Sequence, residues 1–507
     1  MKYIVTPIAF LAVTSALAQA GTLDPTFDAD GMATLSAGGP TNGQSVAAQP
    51  DGKIVAAGYI GSGSGFAVAR FNTDGSLDNS FSGNGWLTTT FGSGDGFGRS
   101  VLVQPDGKIL ATGNAAPSGG VNSFALARYN SDGTPDAGFG TGGVLTTSIG
   151  LGASRASSSA LQPDGKIVTV GWRYGGAGDT TVVVRYASDG TLDGSFATGG
   201  IFKLGATSNM DAYDVAVQPD GRIVVVGDSG GFNTYHTFVL RLNTDGTFDT
   251  GFGNGGYTSA SMGAGASEGY GVALQADGRI VVCGRSNATG NYDAILFRFN
   301  TDGTLDNSFD GDGKVSTALT PQNDSGNGVL VQPDGKILLA GFQGAGGTLT
   351  VALARYLNDG SLDPSFGTGG VGDAPDGSGY GVALLPDGRI AVGGGISSQS
   401  VLSAYLYTND AGGVGVPGPE DLDVHFQLYP APVTDHAVIE FTLAEAATVA
   451  FELHDIQGRL LPMTAVGGTF SAGMHRAAID LSFLTTGAYL LSLSANGREW
   501  TKAFVKE

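Results

Sequence analysis

Hydrophobic and polar residues alternate in short runs along most of the chain, and these runs predict β-strands. Residues 99–104 are RSVLVQ, residues 108–113 are KILATG and residues 124–130 are FALARYN, so three candidate strands follow one another closely. A period of two places one face of a strand in a core and the other face towards water or a neighbouring layer. The pattern therefore predicts an all-β chain.

One short string joins two of these strands and recurs along the chain. VQPDGKIL stands at residues 103–110, and close relatives of it occur six more times. Pro fixes φ, Asp bonds its own backbone and Gly accepts a positive φ, so the string predicts a hairpin turn rather than a ligand loop. The Asp of this turn stands at Asp51, Asp106, Asp164, Asp220, Asp277, Asp334 and Asp387.

A second motif, GTLDxxFxxGG, repeats in step with the first. Both motifs recur every 53–58 residues, a length that holds four short strands, A to D, as in one blade of a propeller. The Asp of the second motif stands at Asp24, Asp78, Asp136, Asp193, Asp249, Asp306 and Asp363.

The two ends of the repeat array predict how the ring closes. Six units are complete through strand D, whereas the seventh ends after strand C, and an orphan strand of type D, GMATLSA, stands at residues 31–37. Pairing this strand with the seventh unit leaves no exposed edge. We expect a seven-bladed β-propeller closed by an N-terminal strand, followed by a smaller domain.

The recurring pattern QPDGKI…G…ALARYNxDGTLDxxFGxGG resembles the delta-60 repeat family, over roughly residues 21–410. The resemblance implies a propeller fold more than any activity. We accordingly assign residues 21–411 to the propeller and the Gly/Pro-rich, then acidic, residues 412–424 to a linker.

The N-terminus has the features of a secretory signal peptide. Lys2 is a short basic segment, residues 3–17 are apolar, and Ala18-Gln19-Ala20 is a small-residue cleavage site, which predicts a signal peptide at residues 1–20 that is cut after Ala20. No later apolar run approaches the length of a membrane span, so no transmembrane segment is expected.

The C-terminal residues 425–507 differ from the repeats and alternate as five strands, which predicts a small immunoglobulin-like sandwich. Their landmarks FQLYPAPVTD, LHDIQGRLL and LSFLTTGAYLLSL, with a final strand that contains Lys, resemble the type A C-terminal sorting domain of the type IX secretion system. Ala431 stands where that family usually has Asn. The resemblance implies a protein of the Bacteroidota that reaches the cell surface or the medium through the periplasm, with the type IX machinery as a partner. Release and attachment to lipopolysaccharide both remain open.

Charge and composition exclude some partners. The net charge is −21 and no basic stripe occurs, so we expect no nucleic-acid partner. The lone cysteine, Cys283 in RIVVCG, is expected to be a small buried hydrophobe, and a chain with one cysteine forms no internal disulfide.

The sequence contains a motif similar to a calcium-binding loop, but we expect that the protein binds no cofactor. RFNTDGSLD at residues 70–78 is similar to a calcium loop, but Arg70 replaces the first acidic ligand, and an arginine repeats there in later units. We expect this arginine to pair with a neighbouring carboxylate, with calcium as the alternative.

A protease-like string is expected to be a coincidence. GDSGG at residues 227–231 resembles the nucleophile loop of chymotrypsin-like proteases, which need a His before the Ser in the chain. The mature chain has no His before Ser229, its first being His236, and Gly227 falls on a repeated strand-B position.

Residues that break the repeat are the candidates for function. Trp172, Arg173 and Tyr174 form a candidate recognition loop, since aromatic residues and arginine are favoured at binding surfaces. Asp211 and Asp214 are a possible acid pair. No catalytic, cofactor or metal residues are assigned.

The sequence leads us to expect a secreted or surface-attached, non-catalytic propeller that binds an extracellular glycan or protein. The alternatives are a polysaccharide hydrolase or lyase, and a structural component of the surface layer. Two close carboxylates in the central funnel would favour an enzyme, whereas a flat aromatic rim would favour binding.

Overall fold

The computed structural model describes most of the chain as two compact units, Met1–Val414 and Gly415–Glu507. The described residues are 19–36, 39–61, 63–92, 95–117, 120–175, 178–204, 209–231, 234–345, 348–396, 399–409, 426–429, 436–443, 447–455, 460–461, 468–471, 473–485, 487–495 and 498–506. Most of the expected signal peptide and the whole expected linker lie outside this part of the chain, so both stay predictions.

The described strands of the first unit form seven consecutive antiparallel sheets. Strand β1 (Met32–Leu35) comes first along the chain and belongs to the last sheet. Sheet 1 holds β2 (Thr41–Ala48), β3 (Ile54–Ile60), β4 (Phe66–Phe71) and β5 (Trp86–Thr89). Sheet 2 holds β6 (Gly96–Val103), β7 (Ile109–Ala115), β8 (Ser123–Tyr129) and β9 (Val144–Thr147). Sheet 3 holds β10 (Ser154–Leu161), β11 (Ile167–Gly175), β12 (Gly178–Tyr186) and β13 (Ile201–Lys203).

The remaining sheets of the first unit follow the same order. Sheet 4 holds β14 (Met210–Val217), β15 (Ile223–Ser229), β16 (His236–Leu242) and β17 (Tyr257–Ala260). Sheet 5 holds β18 (Ser267–Leu274), β19 (Ile280–Ser286), β20 (Asp293–Phe299) and β21 (Lys314–Thr317). Sheet 6 holds β22 (Asp324–Val331), β23 (Ile337–Ala345) and β24 (Thr348–Tyr356), and sheet 7 holds β25 (Ser378–Leu384), β26 (Ile390–Ile396), β27 (Val401–Tyr407) and β1.

The first strand of every sheet contacts the first strand of the next, and β25 contacts β2, so these strands surround a central channel. The second and third strands are buried on both faces, as in β7 and β8, because each sheet packs between two others. The fourth strands, such as β9, are only partly buried. This burial explains why the first strands alternate in sequence while the middle strands are nearly all apolar.

The recurring PDG string forms the expected hairpin turn. Gly107 lies at φ +81°, its N–H donates to the carbonyl of Gln104 at 2.9 Å, and the Asp106 carboxylate accepts the N–H of Lys108 at 3.1 Å. The other six copies also place their Gly at a positive φ. The repeated string is thus a turn in the structure.

The N-terminal strand closes the ring. Strand β1 pairs antiparallel with β27, with Ala33 opposite Ala404. Arg389 adds an ion pair across the closure, its Nη1 lying 2.9 Å from Oδ2 of Asp24. The N–H of Gly21, the first residue after the expected cleavage site, donates to the carbonyl of Thr408 at 2.8 Å. The chain ends of the propeller therefore meet in one sheet.

The sequence predicted a fourth strand for the sixth unit, and that prediction is wrong. Sheet 6 has three strands among the described residues, and Val371 and Asp376 form only isolated bridges to β24. The segment is GDAPDG, and Pro375 has no N–H with which to continue a ladder. Its carbonyl still accepts the N–H of Val351 at 2.8 Å.

An arginine at the end of the third strand ties each of the first six sheets to the turn of the following sheet. Arg298 is 1% exposed, its Nε lies 2.7 Å from Oδ2 of Asp306, and its Nη1 donates to the carbonyl of Asn358 in the next unit. The corresponding pairs are Arg70–Asp78, Arg128–Asp136, Arg185–Asp193, Arg241–Asp249 and Arg355–Asp363, at 2.7–2.8 Å. The expected pairing of this arginine with a carboxylate is present, while calcium binding stays untested.

The second unit contains two further sheets in its described residues. One holds β28 (Phe426–Tyr429), β29 (His436–Leu443) and β33 (Gly473–Asp480), and the other holds β30 (Ala447–Asp455), β31 (Leu460–Leu461), β32 (Gly468–Phe470), β34 (Gly487–Ala495) and β35 (Arg498–Lys506). Its core includes Ile439, Phe441, Leu453, Leu491 and Leu493.

The prediction of an all-β propeller fold is confirmed, while the exact blade count and the immunoglobulin-like class of the second unit stay predictions. No helix long and apolar enough to cross a membrane occurs in the part of the chain that the structure describes.

Candidate functional site

Each of the seven first strands carries a β-bulge at the same place, and the bulged residue faces the central channel. In β6 the register shifts between Gly98 and Ser100, so Arg99 has no partner on the neighbouring strand. A bulge re-aims the unpaired side chain. The seven bulged residues, which we call the bulge ring, are Gln44, Arg99, Ser157, Tyr213, Tyr270, Asn327 and Tyr380.

The repeated glycine of the second strand exists because of this bulge. A Cβ at Gly113 would stand 1.9 Å from the carbonyl oxygen of Phe97 on the bulged strand, far inside van der Waals contact. The same clash, at 1.8–1.9 Å, would occur at Gly58, Gly171, Gly227, Gly284, Gly341 and Gly394. The glycine is therefore a structural requirement, whereas the bulged residue itself varies among the units.

The bulge ring separates two cavities in the channel. One has a volume of about 430 Å³ and the other about 410 Å³, and the residues that line both of them are those of the bulge ring. We call the first the mouth pocket, which is additionally lined by Arg155, Trp172, Asp211, Arg285, Ser325 and Phe342. Its volume is in the range of ordinary ligand pockets.

One side of the mouth pocket is acidic. Asp211 on β14 lies opposite Asp228 on β15, and Asp228 is 4% exposed. Burial, reinforced by the charge of Asp179, raises the pKa of Asp211 to about 7. Burial and the charges of Asp211 and Glu268 raise the pKa of Asp228 to about 8, although Tyr213 donates a hydrogen bond to it. Protons are therefore retained on this pair near neutral pH.

The neighbouring sheet adds a third carboxylate and a tyrosine. The hydroxyl of Tyr270 donates to Oε2 of Glu268, which also accepts Arg285 Nη2 at 2.9 Å. The ring of Tyr270 packs edge-on against that of Tyr213, with centroids 5.2 Å apart. Burial, together with Glu268, raises the pKa of Tyr270 well above its usual value. Tyr270 is thus a neutral phenol held on a carboxylate at the pocket wall.

The other side of the mouth pocket is basic. Arg99 in the bulge ring and Arg155 on β10 both line it, and the Arg155 guanidinium lies 5.0 Å from the centre of the Trp172 ring. Neither arginine forms an ion pair with any described carboxylate. The charged residues that line the pocket are therefore Asp211 on sheet 4, Arg285 on sheet 5, which is paired with Glu268, and two arginines without an ion pair on sheets 2 and 3.

The residues expected to form a recognition loop lie in a strand instead. Trp172, Arg173 and Tyr174 are part of β11, because the apolar run IVTVGW continues the ladder to β12. Trp172 lines the mouth pocket, whereas Arg173 Nε donates to the carbonyl of Leu151 at 3.0 Å and Tyr174 is 60% exposed. Their role in recognition stays a prediction.

The proposed acid pair is divided by the bulge. Asp211 lines the mouth pocket, whereas Asp214 lies beyond the bulge ring and accepts the backbone N–H groups of Val215 and Val272, each at 2.9 Å. Asp214 therefore joins sheet 4 to sheet 5, and the partner of Asp211 is Asp228. Ser229 bonds to the backbone carbonyl of the exposed His236, so GDSGG forms no protease triad.

Sequence reasoning missed Asp228, Glu268 and Arg285. A usable signal exists, because the residue after each repeated glycine of the second strand lies beside the channel and differs from unit to unit. That position holds Tyr59, Asn114, Trp172, Asp228, Arg285, Phe342 and Gly395.

The fold and the pocket define a β-propeller protein with a polar site at the centre of its ring. Six segments of the propeller, residues 49–81, 104–139, 162–196, 218–252, 275–309 and 332–366, each match the domain of unknown function (DUF5122) beta-propeller. Residues 427–507 match the secretion system C-terminal sorting domain. The chain thus carries DUF5122 propeller repeats and a type IX sorting domain, and it is exported to the cell surface or the medium. No curated protein matches its sequence.

Solved structures similar to the chain include several propeller enzymes. A polysaccharide lyase of family PL25, an ulvan lyase bound to a glucuronate–sulfated rhamnose disaccharide, is 11% identical, with a TM-score of 0.44 over 75% of this chain and 97% of the lyase. The sialidase of Trypanosoma rangeli is 11% identical, with a TM-score of 0.36 over 96% and 89% of the two chains. A GH43_12 protein from a capybara gut metagenome is 10% identical, with a TM-score of 0.28 over 94% and 91%.

The expectation of a non-catalytic propeller is corrected by these comparisons, because the similar propellers are described as a lyase, a sialidase and a glycoside hydrolase. At identities of 10–12% these likenesses show the fold alone. Any activity of this chain must therefore be argued from its own mouth pocket.

Proposed function

We propose that the chain is an extracellular glycoside hydrolase that cleaves a polysaccharide in the mouth pocket. One observation carries the proposal: Asp211, with a pKa raised to about 7, and Tyr270, bonded to Glu268, line the same pocket from adjacent sheets. Hydrolysis of a glycosidic bond needs a proton donor for the leaving oxygen and a group that attacks the anomeric carbon.

Asp211 is the proton donor in this proposal. Its Oδ1 is buried and has no hydrogen-bond partner among the described residues, so no protein group competes with a substrate for it. A carboxyl group whose pKa is near the working pH holds its proton until it is needed and releases it readily. Asp228 is a positioning residue behind Asp211, where its buried carboxyl discourages ionisation of the pair.

Tyr270 is the attacking group, with Glu268 as its base. As the phenol oxygen bonds to the anomeric carbon, its proton passes to Glu268, the glycosidic bond breaks, and the leaving oxygen takes the proton of Asp211. Water then attacks the same carbon and gives a proton to Asp211, while Tyr270 leaves and recovers its proton from Glu268. The net reaction is addition of one water across the glycosidic bond.

The test is hydrolysis by the purified, secreted chain of a panel of polysaccharides, followed by the release of reducing ends. We expect Asp211→Asn and Tyr270→Phe each to reduce the rate by at least about a hundredfold. The matched control is Asp310→Asn, because Asp310 is an exposed loop carboxylate whose position holds other residues in other units. The rate should fall as the pH rises through about 7, since Asp211 then loses its proton.

Three results would contradict the proposal. If no polysaccharide in the panel yields reducing ends, the proposed activity is wrong. If Asp211→Asn and Asp310→Asn hydrolyse at equal rates, the proposed site is wrong. Products with the ultraviolet absorbance of an unsaturated uronate would replace hydrolysis with elimination.

A further inference from the structure

We infer that Arg99 and Arg155 form a subsite for the negatively charged substituent of an acidic sugar, so the polysaccharide that enters the mouth pocket is anionic. The inference rests on the proposed function for the cleavage that follows, but binding can be measured without cleavage. The shared chemistry is a planar or tetrahedral oxyanion, which a sugar carries as a carboxylate or as a sulfate ester.

The two arginines are exceptional in this chain. Each of the other arginines that the structure describes in the propeller is paired with an Asp or Glu, apart from Arg173, which binds a backbone carbonyl outside the mouth pocket. The chain has 46 Asp and Glu residues against 25 Lys and Arg residues. Neither arginine forms an ion pair, and the two carboxyls in the electrostatic range of Arg155, Asp179 and Asp211, both have raised pKa values and so resist ionisation.

Arg99 gives the clearest sign of a missing partner. Its Nε is buried without a hydrogen-bond partner among the described residues. A buried N–H donor of a charged group that bonds to nothing is costly, and such groups are almost always satisfied. Burial, together with the charge of Arg155, lowers the pKa of Arg99, so the two cations lie in each other's field. An anion bound between them would remove both costs.

Arg155 is positioned to receive a planar or tetrahedral anion. It lies on an adjacent sheet and packs over the Trp172 ring, which holds the guanidinium plane by a cation–π contact and leaves its N–H groups available. Guanidinium groups bind carboxylate and sulfate oxygens through paired hydrogen bonds, which is why arginine is preferred over lysine at such sites.

The position of this subsite fits the proposed cleavage. Arg155 on sheet 3 is adjacent to sheet 4, and its charge lowers the pKa of Asp211 slightly against the effect of burial. A sugar whose charged group binds Arg99 and Arg155 would therefore place its glycosidic oxygen towards Asp211. Arg285, the third arginine that lines the pocket, is already paired with Glu268, so Arg99 and Arg155 are the arginines left to receive the charged group.

The experiment measures binding to the full secreted chain with the Asp211→Asn substitution, which separates binding from cleavage. The probes are polygalacturonate and its carboxyl-reduced, uncharged form, and dextran sulfate and dextran, which distinguish a carboxylate from a sulfate. We expect affinity for one charged polymer, little for its uncharged form, and a loss that grows with salt. Arg99→Gln and Arg155→Gln should each weaken binding by at least about tenfold, whereas Arg173→Gln, on the strand of Trp172, should not.

The outcomes separate the two proposals. Equal affinity for charged and uncharged polymers, or no affinity for any charged polymer, would overturn the subsite. The same loss in Arg99→Gln and Arg173→Gln would also overturn it. Arginine-dependent binding, together with no cleavage by the chain that retains Asp211, would support the subsite and contradict the proposed hydrolase. Cleavage of an uncharged polysaccharide at a rate independent of Arg99 and Arg155 would support the hydrolase and contradict the subsite.

Discussion

At the scale of single residues, the bulge of each first strand requires the glycine of the neighbouring second strand. The bulge brings a backbone carbonyl against the neighbouring strand, and only a residue without a Cβ fits there, as at Gly113. The bulge leaves one residue unpaired, and the side chain of that residue is directed into the channel. Since the backbone requirement is met by Gly, the seven units of this chain keep one fold although their bulged residues vary.

Replacing Gly113 with Ala is expected to destabilise the propeller by about 3 kcal/mol, because the carbonyl of Phe97 must move from its place 1.9 Å from the new Cβ. The midpoint of denaturant unfolding measures the change. Gly194→Ala is the control, since a Cβ there meets nothing within 4 Å, and a change below about 1 kcal/mol is expected. Similar midpoints for the two variants would show that the bulge relaxes freely.

The residues of the site were only partly predictable. Asp211 and Trp172 were selected because they break the repeat, and both line the mouth pocket. Asp228 and Arg285 each follow the repeated glycine of a second strand, so the repeat marks their positions. Glu268 lies on the bulged first strand, and one sequence does not show where a bulge falls. A bulge shifts the period of two by one residue, so the face that a channel residue occupies cannot be read from alternation alone.

At the scale of elements, the sheets are joined by the buried arginines that end their third strands. The guanidinium of Arg298 also lies over the ring of Phe309, 4.5 Å from its centre, so one side chain binds an Asp, a carbonyl of the next unit and an aromatic face. The hairpin turns and most strands were predictable from turn chemistry and alternation. The absence of a fourth strand in sheet 6 was not predictable, because it results from a single Pro and from contacts with the N-terminal segment.

Replacing Arg298 with Met is expected to destabilise the protein by about 3 kcal/mol, because the buried Asp306 loses its buried partner and keeps only the partly exposed Arg279, whose Nε lies 3.1 Å away. Arg222→Met is the control, since Arg222 is 43% exposed in its side chain and should contribute less than about 1 kcal/mol. Adding Asp306→Asn to Arg298→Met should recover part of the loss in thermal unfolding. A double variant no more stable than the single one would mean that the arginine acts through packing instead.

At the scale of the whole molecule, the N-terminal strand covers an edge that would otherwise be open. Without β1, the N–H and C=O groups of β27 would face water as an unpaired edge, which invites pairing with another chain. The closure itself was predictable by counting strands in the repeats. The ion pair of Arg389 with Asp24 was not, since the two residues stand at opposite ends of the propeller sequence.

Deleting residues 21–36 is therefore expected to produce chains that associate through β27 and unfold at a lower temperature. Light scattering measures the association, and calorimetry measures the unfolding. A synthetic peptide of residues 21–36 added in trans should restore a monomer with the original transition, because it supplies the missing strand. A truncated chain that stays monomeric with an unchanged transition would show that β1 is dispensable.

Because both ends of the propeller sequence lie in sheet 7, this sheet can be completed only late in folding. Met32 pairs with Tyr405, so the ring cannot be completed until nearly all of the propeller sequence has been synthesised. Strands β25, β26 and β27 pair with one another locally, but a long loop must close before β27 gains β1 as its outer partner. Completion of the ring is therefore coupled to the availability of Val401–Tyr407, the last strand of the propeller along the chain.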